Sequence, residues 1–352
     1  MKNTPKILAI NTGSTSTKIS LFEGEKEVFT HNAHHQNEEL AKLTTFDKKV
    51  EFRKNRIEDF LTSKNIDLKE IDLFMCRGGL IKPVQSGVYR VNDKMLHDLK
   101  HAAKQHASNL AAVLGYELSP SKNNVYIADP VVVDEMQDIA RYAGHKEFER
   151  ISIFHALNQK AVARRYAENI GKEYDELNLI VVHMGGGVSI GAHKKGKVVD
   201  VNQALDGEGP FSPERSGTLP AGDLVEKAFS GKYTYSQMKK MLVGEGGLVS
   251  YLGTNNLKEI ENNLTPESRK VLEAMAYQIA KYIGEMAVVL QGKVDAILLT
   301  GGVAYSSLIT GFIQNYVDYI ATVQIYPGED EMKALAYNGN LLWNGKLIAK
   351  KY

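Results

Sequence analysis

The sequence predicts an α/β fold built as two domains. Three observations carry that expectation. A chain of 352 residues exceeds what one ordinary hydrophobic core encloses. Short apolar runs that suit buried strands, Ile7–Ile10, Leu179–Val182 and Ala296–Thr300, alternate with stretches of helical period. One strand–turn–strand pattern occurs twice. Other classes are disfavoured. The net charge of +1 provides no global field for nucleic acid or a membrane surface. The single cysteine, Cys76, excludes a disulfide framework and a cysteine zinc site. No apolar run approaches membrane-spanning length, and the opening "MKNTPK" lacks the apolar core of a signal peptide, so a cytoplasmic protein is expected.

The first copy of the pattern is "ILAINTGSTSTKISLFEGEKEVF", residues 7–29. Ile7–Ile10 and Ile19–Phe22 read as strands of an antiparallel hairpin, closed by a second turn at Gly24. Between them Thr12–Thr17 exposes backbone amides and hydroxyls with little bulk, as phosphate oxygens require. Asn11 heads this tract, and Lys18 ends it. The second copy, "LIVVHMGGGVSIGAHKKGKVVDV", aligns without a gap, setting Asn11 on His183, Gly13 on Gly185, Thr17 on Ser189 and Gly24 on Gly196. Duplicated hairpins facing each other would grip a nucleotide's phosphate tail. A third glycine site, "VDAILLTGGVAYS", places Gly301 and Gly302 at a strand's carboxyl end, where a nucleoside can approach the backbone. None of the three fits GxxxxGK[ST] or GxGxxG, so P-loop and Rossmann chemistry lack support.

Helices are expected over Glu51–Ser63, Asp93–Leu114, Asn158–Ile170 and Pro266–Leu290. The domain boundary is poorly marked and falls between Asn123 and Phe148. Polar residues gather at element ends. Arg77 ends an apolar strand in "MCRGGL", Asp129 ends another in "YIADP", and His155 stands at a strand-to-helix junction in "SIFHALNQ". "QHASNL" puts His106 and Asn109 one helical turn apart, "GPFSPERSGTLP" holds Arg215 in a loop, and "PGEDEMKALA" sets Glu331 at a helix start. Arginine forks in glycine-bearing loops suit carboxylate and phosphate groups.

In this order along nearly the whole chain, "INTGSTSTKISLF", "CRGG", "HASNL", "FHALNQ", "HMGGGVSIG", "PERSG", "TGGVAYS" and "PGEDEMKALA" resemble the acetate and butyrate kinases of the sugar kinase, Hsp70 and actin superfold. The length, "CRGGLIKPVQSGVYRV", "ADPVVVDEM" and "HMGGG" look more like the butyrate kinase branch. The resemblance implies two duplicated RNase H-like domains with a nucleotide cleft between them. Residues 1–130, completed by a C-terminal helix 333–352, would form the acidic-substrate and phosphate domain, and 131–332 the nucleotide-binding domain. It implies reversible phosphoryl transfer from ATP to butyrate or a short or branched-chain acid, giving acyl phosphate and ADP, in a homodimer or larger homo-oligomer. The alternatives are an acetate or propionate kinase and a non-catalytic ATP-binding module.

Roles follow from the resemblance residue by residue. Asn11, Asp129 and Glu331 would position Mg²⁺, with Glu329 a possible substitute for Glu331. Arg77 and Arg215 would bind the substrate carboxylate and the phosphoryl group in flight, His155 would donate to it, and His106 would lie near the acid. Ser14, Ser16, His183, Gly185, Gly186 and Gly187 would hold the nucleotide phosphates, and Gly301 and Gly302 the adenosine. One rival is an esterase, since "GVSIG" matches GxSxG. A nucleophile elbow needs a helix after Ser189, whereas "AHKKGKVV" continues as a hairpin. Ser189 is therefore expected to be unreactive and dispensable.

Overall fold

The opening tract forms three consecutive antiparallel strands, β1 (Lys6–Thr12), β2 (Ser16–Glu23) and β3 (Lys26–His34), in the computed structural model, which describes residues 4–103 and 105–352. On the other side of β1 come β4 (Leu73–Arg77) and β6 (Val125–Ala128), each parallel to its neighbour. The short β5 (Val88–Arg90) runs antiparallel to β6 and pairs in turn with Lys350–Lys351. Both faces of the central strands are covered. The helix Asn109–Leu118 lies on the face of Ile10 and Cys76, and the helix Glu331–Trp343 on the face of Ile7 and Met75. A strand buried on both sides cannot alternate, which is why "ILAI" is apolar throughout.

This sheet and its helices form one compact unit, residues up to Val133 with Asp330–Tyr352; Asp134–Glu329 form the other. The second unit repeats the plan. Strands β7 (Asn178–Met184), β8 (Val188–Lys194) and β9 (Lys197–Val201) are antiparallel, and β10 (Ala296–Gly301) and β11 (Val323–Pro327) add in parallel beyond β7. The order β9-β8-β7-β10-β11 matches β3-β2-β1-β4-β6. Ile180, Val182, Ile297 and Leu299 pack against the helices Pro266–Val289 and Ser307–Val317. Leu179, Val181, Ala296 and Leu298 pack on the other face against Val162, Ala163 and Ala167 of the helix Ala156–Asn169. No helix among the described residues is long and apolar enough to cross a membrane.

Three local expectations need correction. The two hairpins do not align without a gap. Thr12 pairs with Thr17 and Met184 with Val188, so the first turn is one residue longer. Past the turn the true equivalent of Ser189 is Lys18, the partners of His183 and Asn11 respectively. The strand irregularities agree, falling at Leu21/Phe22 and Ala192/His193. His155 follows irregular chain, not a strand, and caps the helix Ala156–Asn169.

The expected helix Asp93–Leu114 is two helices, Asp93–Lys100 and Asn109–Leu118, so His106 lies outside helical structure. The buried Asn109 amide fixes the break. It donates to the Leu99 carbonyl at 3.3 Å and accepts from the Leu80 N–H at 2.8 Å. Without it the Leu99 carbonyl would be buried unpaired and the part-buried Leu80 N–H would lose its partner, at a cost of about 1–3 kcal/mol. Asn109→Ala should therefore lower unfolding stability by that amount in urea titrations. A change under about 0.5 kcal/mol would show that the break is held by something else.

Candidate active site

In the first unit the parallel strands β1, β4 and β6 bring their carboxyl ends to one edge. Ile10 is level with Cys76 and Arg77 with Ala128, so Asn11, Arg77 and Asp129 lie at the ends of three adjacent strands. The edge is wired together. The Asn11 amide nitrogen donates to the Glu331 carboxylate, and Arg77 Nη1 lies 3.3 Å from both Asn11 Oδ1 and Glu331 Oε2. Glu331 is buried as the first residue of its helix. Asp129, at φ +36°, accepts from the Ser86 hydroxyl at 2.6 Å and the Gly87 N–H at 2.8 Å. The Thr12 hydroxyl, at the end of β1, donates to Ala107 O and so ties down the loop that carries the exposed His106. The His106 Nδ1 is 2.8 Å from the Ser108 hydroxyl.

The turn carrying Ser14 and Ser16 is held from behind by Arg53, which the expectations above did not include. The buried guanidinium donates to the carbonyls of Gly13, Ser14 and Ser16 and to the Thr17 hydroxyl, and the His35 N–H takes the carbonyl of Thr15. In a trans peptide the N–H points opposite to the C=O. The N–H groups of Ser14, Thr15 and Ser16 therefore point away from Arg53 and His35, as a nest for an anion requires. Burial lowers the pKa of Arg53 from its ordinary value. A signal for it existed, since Arg53 falls in the buried stripe of Val50, Ile57 and Leu61 on the helix Phe46–Ser63, where an arginine has no packing reason to be.

The second unit joins a different set. His183 lies near the end of β7, and its ring stacks on that of His155 at 3.8 Å. His183 Nδ1 is 2.8 Å from Asn158 Oδ1, Asn158 Nδ2 donates to Glu329 O at 2.8 Å, and the Glu329 carboxylate lies 3.8 Å from His183 Nε2. The turn Gly185–Gly187 closes through the Gly185 N–H and Gly187 C=O at 2.9 Å. Arg215 lies over it so closely that a Cβ on Gly187 would stand 2.1 Å from Nη1. The Ser212 hydroxyl joins the loop to the turn, donating to Gly186 O at 2.6 Å and accepting from the Arg215 N–H at 3.0 Å. Burial lowers the pKa of Arg215. Gly301 has a backbone reason for its identity: at φ +90° its Cβ would lie 2.2 Å from Met184 O of the adjoining strand. Gly302 is exposed, with nothing within 4 Å of its Cβ position.

Ser189 is fully buried inside β8, with strand on both sides, so the GxSxG match is no nucleophile elbow. It is nonetheless part of this cluster: its hydroxyl lies 2.9 Å from His155 Nδ1 and 2.8 Å from Gln159 Nε2. Asn158 and Gln159 follow His155 by about one helical turn in "HALNQ", which was the available signal for both.

The acetokinase family model matches residues 99–319. Butyrate kinase 2 of Clostridium acetobutylicum is 52% identical over 352 residues, 99% of each chain. A probable butyrate kinase of Clostridium botulinum is 51% identical over the same share of both chains. Among solved structures, Porphyromonas gingivalis acetate kinase superposes with a TM-score of 0.78 at 20% identity, over 95% of this chain and 98% of that one. A propionate kinase from Francisella tularensis gives 0.76 at 18%, with the same coverage. These two likenesses establish a shared α/β fold with two sheets.

The turn behind Ser14 and Ser16 has a pH signature. The Thr17 hydroxyl accepts from Arg53 at 2.8 Å, which leaves its own hydrogen free for His35 Nε2 at 2.9 Å, an arrangement that needs a neutral ring. Burial, then the neighbouring Arg53, lowers the His35 pKa to about 4. As pH falls the unfolded chain takes up this proton first, from about pH 6.5. The contribution is therefore complete above that pH and is lost as pH falls toward 4. Thermal melts should show the wild type losing stability relative to His35→Gln across this window. A difference between the two that stays constant with pH would remove His35 as the cause.

Proposed function

The chain belongs to the acetokinase family, and we propose that it acts as a carboxylate kinase, moving the terminal phosphoryl group of ATP reversibly onto butyrate or a related short or branched-chain acid to give an acyl phosphate and ADP. The observation that carries this reading is the placement of one arginine among the glycine turns and strand ends of each unit, Arg77 bonded to Asn11 and Glu331, and Arg215 over Gly185–Gly187.

The chemistry asks little covalent work of the protein. A carboxylate is already ionised at pH 7, so no general base is needed. The demand is to align two anions and to neutralise the charge on the phosphoryl group in flight. Two unit charges 4 Å apart at intermediate dielectric repel by about 4 kcal/mol. In this reading Arg77 and Arg215 offset that repulsion, and His155 donates a hydrogen bond to the transferring group. The N–H groups of Ser14–Ser16 and the turn Gly185–Gly187 hold the nucleotide phosphates beside His183, Gly301 and Gly302 line the adenosine, and His106 lies near the acid.

Asn11, Asp129 and Glu331 offer hard oxygen donors that suit Mg²⁺. Among the described residues no three His, Cys, Asp or Glu side chains are grouped to hold a metal. Mg²⁺ commonly keeps several waters and relies on substrate phosphates, so this donor set fits it. When bound, the ion would neutralise charge on the nucleotide phosphates. The bond between Asn11 and Glu331 favours Glu331 over Glu329, whose carboxylate stands by His183 instead. We place the enzyme in the cytoplasm and in a homodimer or larger homo-oligomer. Val225 and Phe229, exposed on a helix with no buried residue, Ala221–Phe229, support self-association.

Two measurements test the reading. Turnover of MgATP with acetate, propionate, butyrate, isobutyrate and isovalerate, with hydroxylamine trapping the acyl phosphate, should give the highest kcat/KM for four- and five-carbon acids. Each buried methylene contributes about 0.8 kcal/mol, so two should favour butyrate over acetate by about tenfold. Equal or better use of acetate would move the assignment to acetate or propionate kinase. Arg77→Ala and Arg215→Ala should each lower turnover by about 10²–10³ while remaining folded. Near-normal rates in either folded variant would take that arginine out of the mechanism.

A further inference from the structure

The second unit contains a buried chain of hydrogen bonds that ends on His155. The Tyr174 hydroxyl lies 2.7 Å from His193 Nδ1, His193 Nε2 lies 2.9 Å from Gln159 Oε1, and Gln159 Nε2 donates to both Ser189 O and Ser189 Oγ, at 3.0 and 2.8 Å. The Ser189 hydroxyl then meets His155 Nδ1 at 2.9 Å. Gln159, Ser189 and His193 are wholly buried. The strand makes room for the chain at Gly191, where a Cβ would stand 2.6 Å from Gln159 Oε1.

The donors in this chain can be assigned one after another. The Ser189 carbonyl can only accept, so the neighbouring atom of Gln159 is its NH₂ and the other is its oxygen. That oxygen needs a donor, so His193 carries its proton on Nε2. Burial, reinforced by Lys160 and Arg164, holds the His193 pKa well below the usual range, so the ring is neutral and its Nδ1 accepts from the Tyr174 hydroxyl. Ser189 Oγ receives the Gln159 N–H and, at 3.4 Å, the backbone N–H of His155, which occupy its two lone pairs. Its one hydrogen is then directed to His155 Nδ1.

We propose that the chain Tyr174–His193–Gln159–Ser189 fixes the neutral His155 ring in the tautomer protonated on Nε2, making that nitrogen a standing hydrogen-bond donor. Tyr174, His193, Gln159 and Ser189 are positioning residues. Their effect on turnover rests on the carboxylate kinase reading, whereas the tautomer does not. The proposal also reverses the expectation that Ser189 is dispensable. Without its hydroxyl, His155 can take the other tautomer and lose the donor, in the way that outer partners of functional histidines set ring orientation and tautomer.

The test combines a spectroscopic and a kinetic arm. Long-range ¹H–¹⁵N correlation spectra of the full chain with ¹⁵N-labelled histidine, with His155 assigned by its loss in His155→Asn, should show Nε2 protonated and Nδ1 bare at neutral pH. Ser189→Ala should shift that population and lower kcat for butyrate about 10–100-fold, with KM for MgATP within about twofold. His193→Phe should act in the same direction and less strongly. An Nδ1-protonated His155 in the wild type overturns the proposal without recourse to any variant. So does a folded Ser189→Ala enzyme with wild-type kcat and an unchanged tautomer. If the wild type turns over none of the acids, the functional reading fails, and the spectrum, which needs no substrate, still decides the tautomer.

Discussion

The parallel registration of β1, β4 and β6 is the constraint on which the first unit depends. Parallel strands end at the same edge, so polar residues placed one step past an apolar run arrive side by side whatever their separation in sequence. Asn11 and Arg77 come from distant parts of the chain and meet because Ile10 is level with Cys76, and Asp129 stands one step beyond them because Arg77 is level with Ala128. Glu331 completes the set because its helix packs on the same strands. A slip of one residue in any pairing would turn these side chains to the other face and dissolve the cluster. The apolar runs before them, buried on both sides, hold the register. Core and site are thus two consequences of one alignment.

The same plan in the second unit yields a different site because the turns differ. The first turn is longer, built of small hydroxyl residues whose carbonyls are taken up by Arg53 and His35. The second is three glycines, short enough for a guanidinium to lie directly over it. The repeated strand order is thus a common frame on which each unit carries its own cation. In one copy the cation is a buried arginine behind the turn, and in the other a loop arginine above it.

Strand positions, the repeated hairpin and the polar residues at strand ends that make up the candidate site were legible because they depend on local signals: apolar runs, glycine after a strand, a charged residue at an element end. The misreadings have physical causes. The gapless alignment failed because a one-residue difference in turn length leaves composition almost unchanged while shifting the register. The long helix through Asp93–Leu114 failed because a tertiary bond from Asn109 to Leu80 and Leu99 overrides helical propensity. Ser189 was discounted on its motif, which says nothing of a partner such as Gln159 reaching it from another element. Arg53 was visible as an arginine in an apolar stripe, but its meaning came only with the turn it faces.

Arg53 has one more consequence. Its positive charge is buried among neutral oxygens, and among the described residues none of its hydrogen bonds goes to a carboxylate. Taking a cation out of water is costly when no opposite charge offsets it. An anion seated on the far side of the turn would supply that missing charge through the peptide groups in between. By linkage, whatever lowers the free energy of the folded turn when the anion is present raises the anion's affinity by the same amount. The fold of the first unit is thus left electrically incomplete in a way that a bound anion would complete, and part of such an anion's binding energy would be stored in the protein before it arrives.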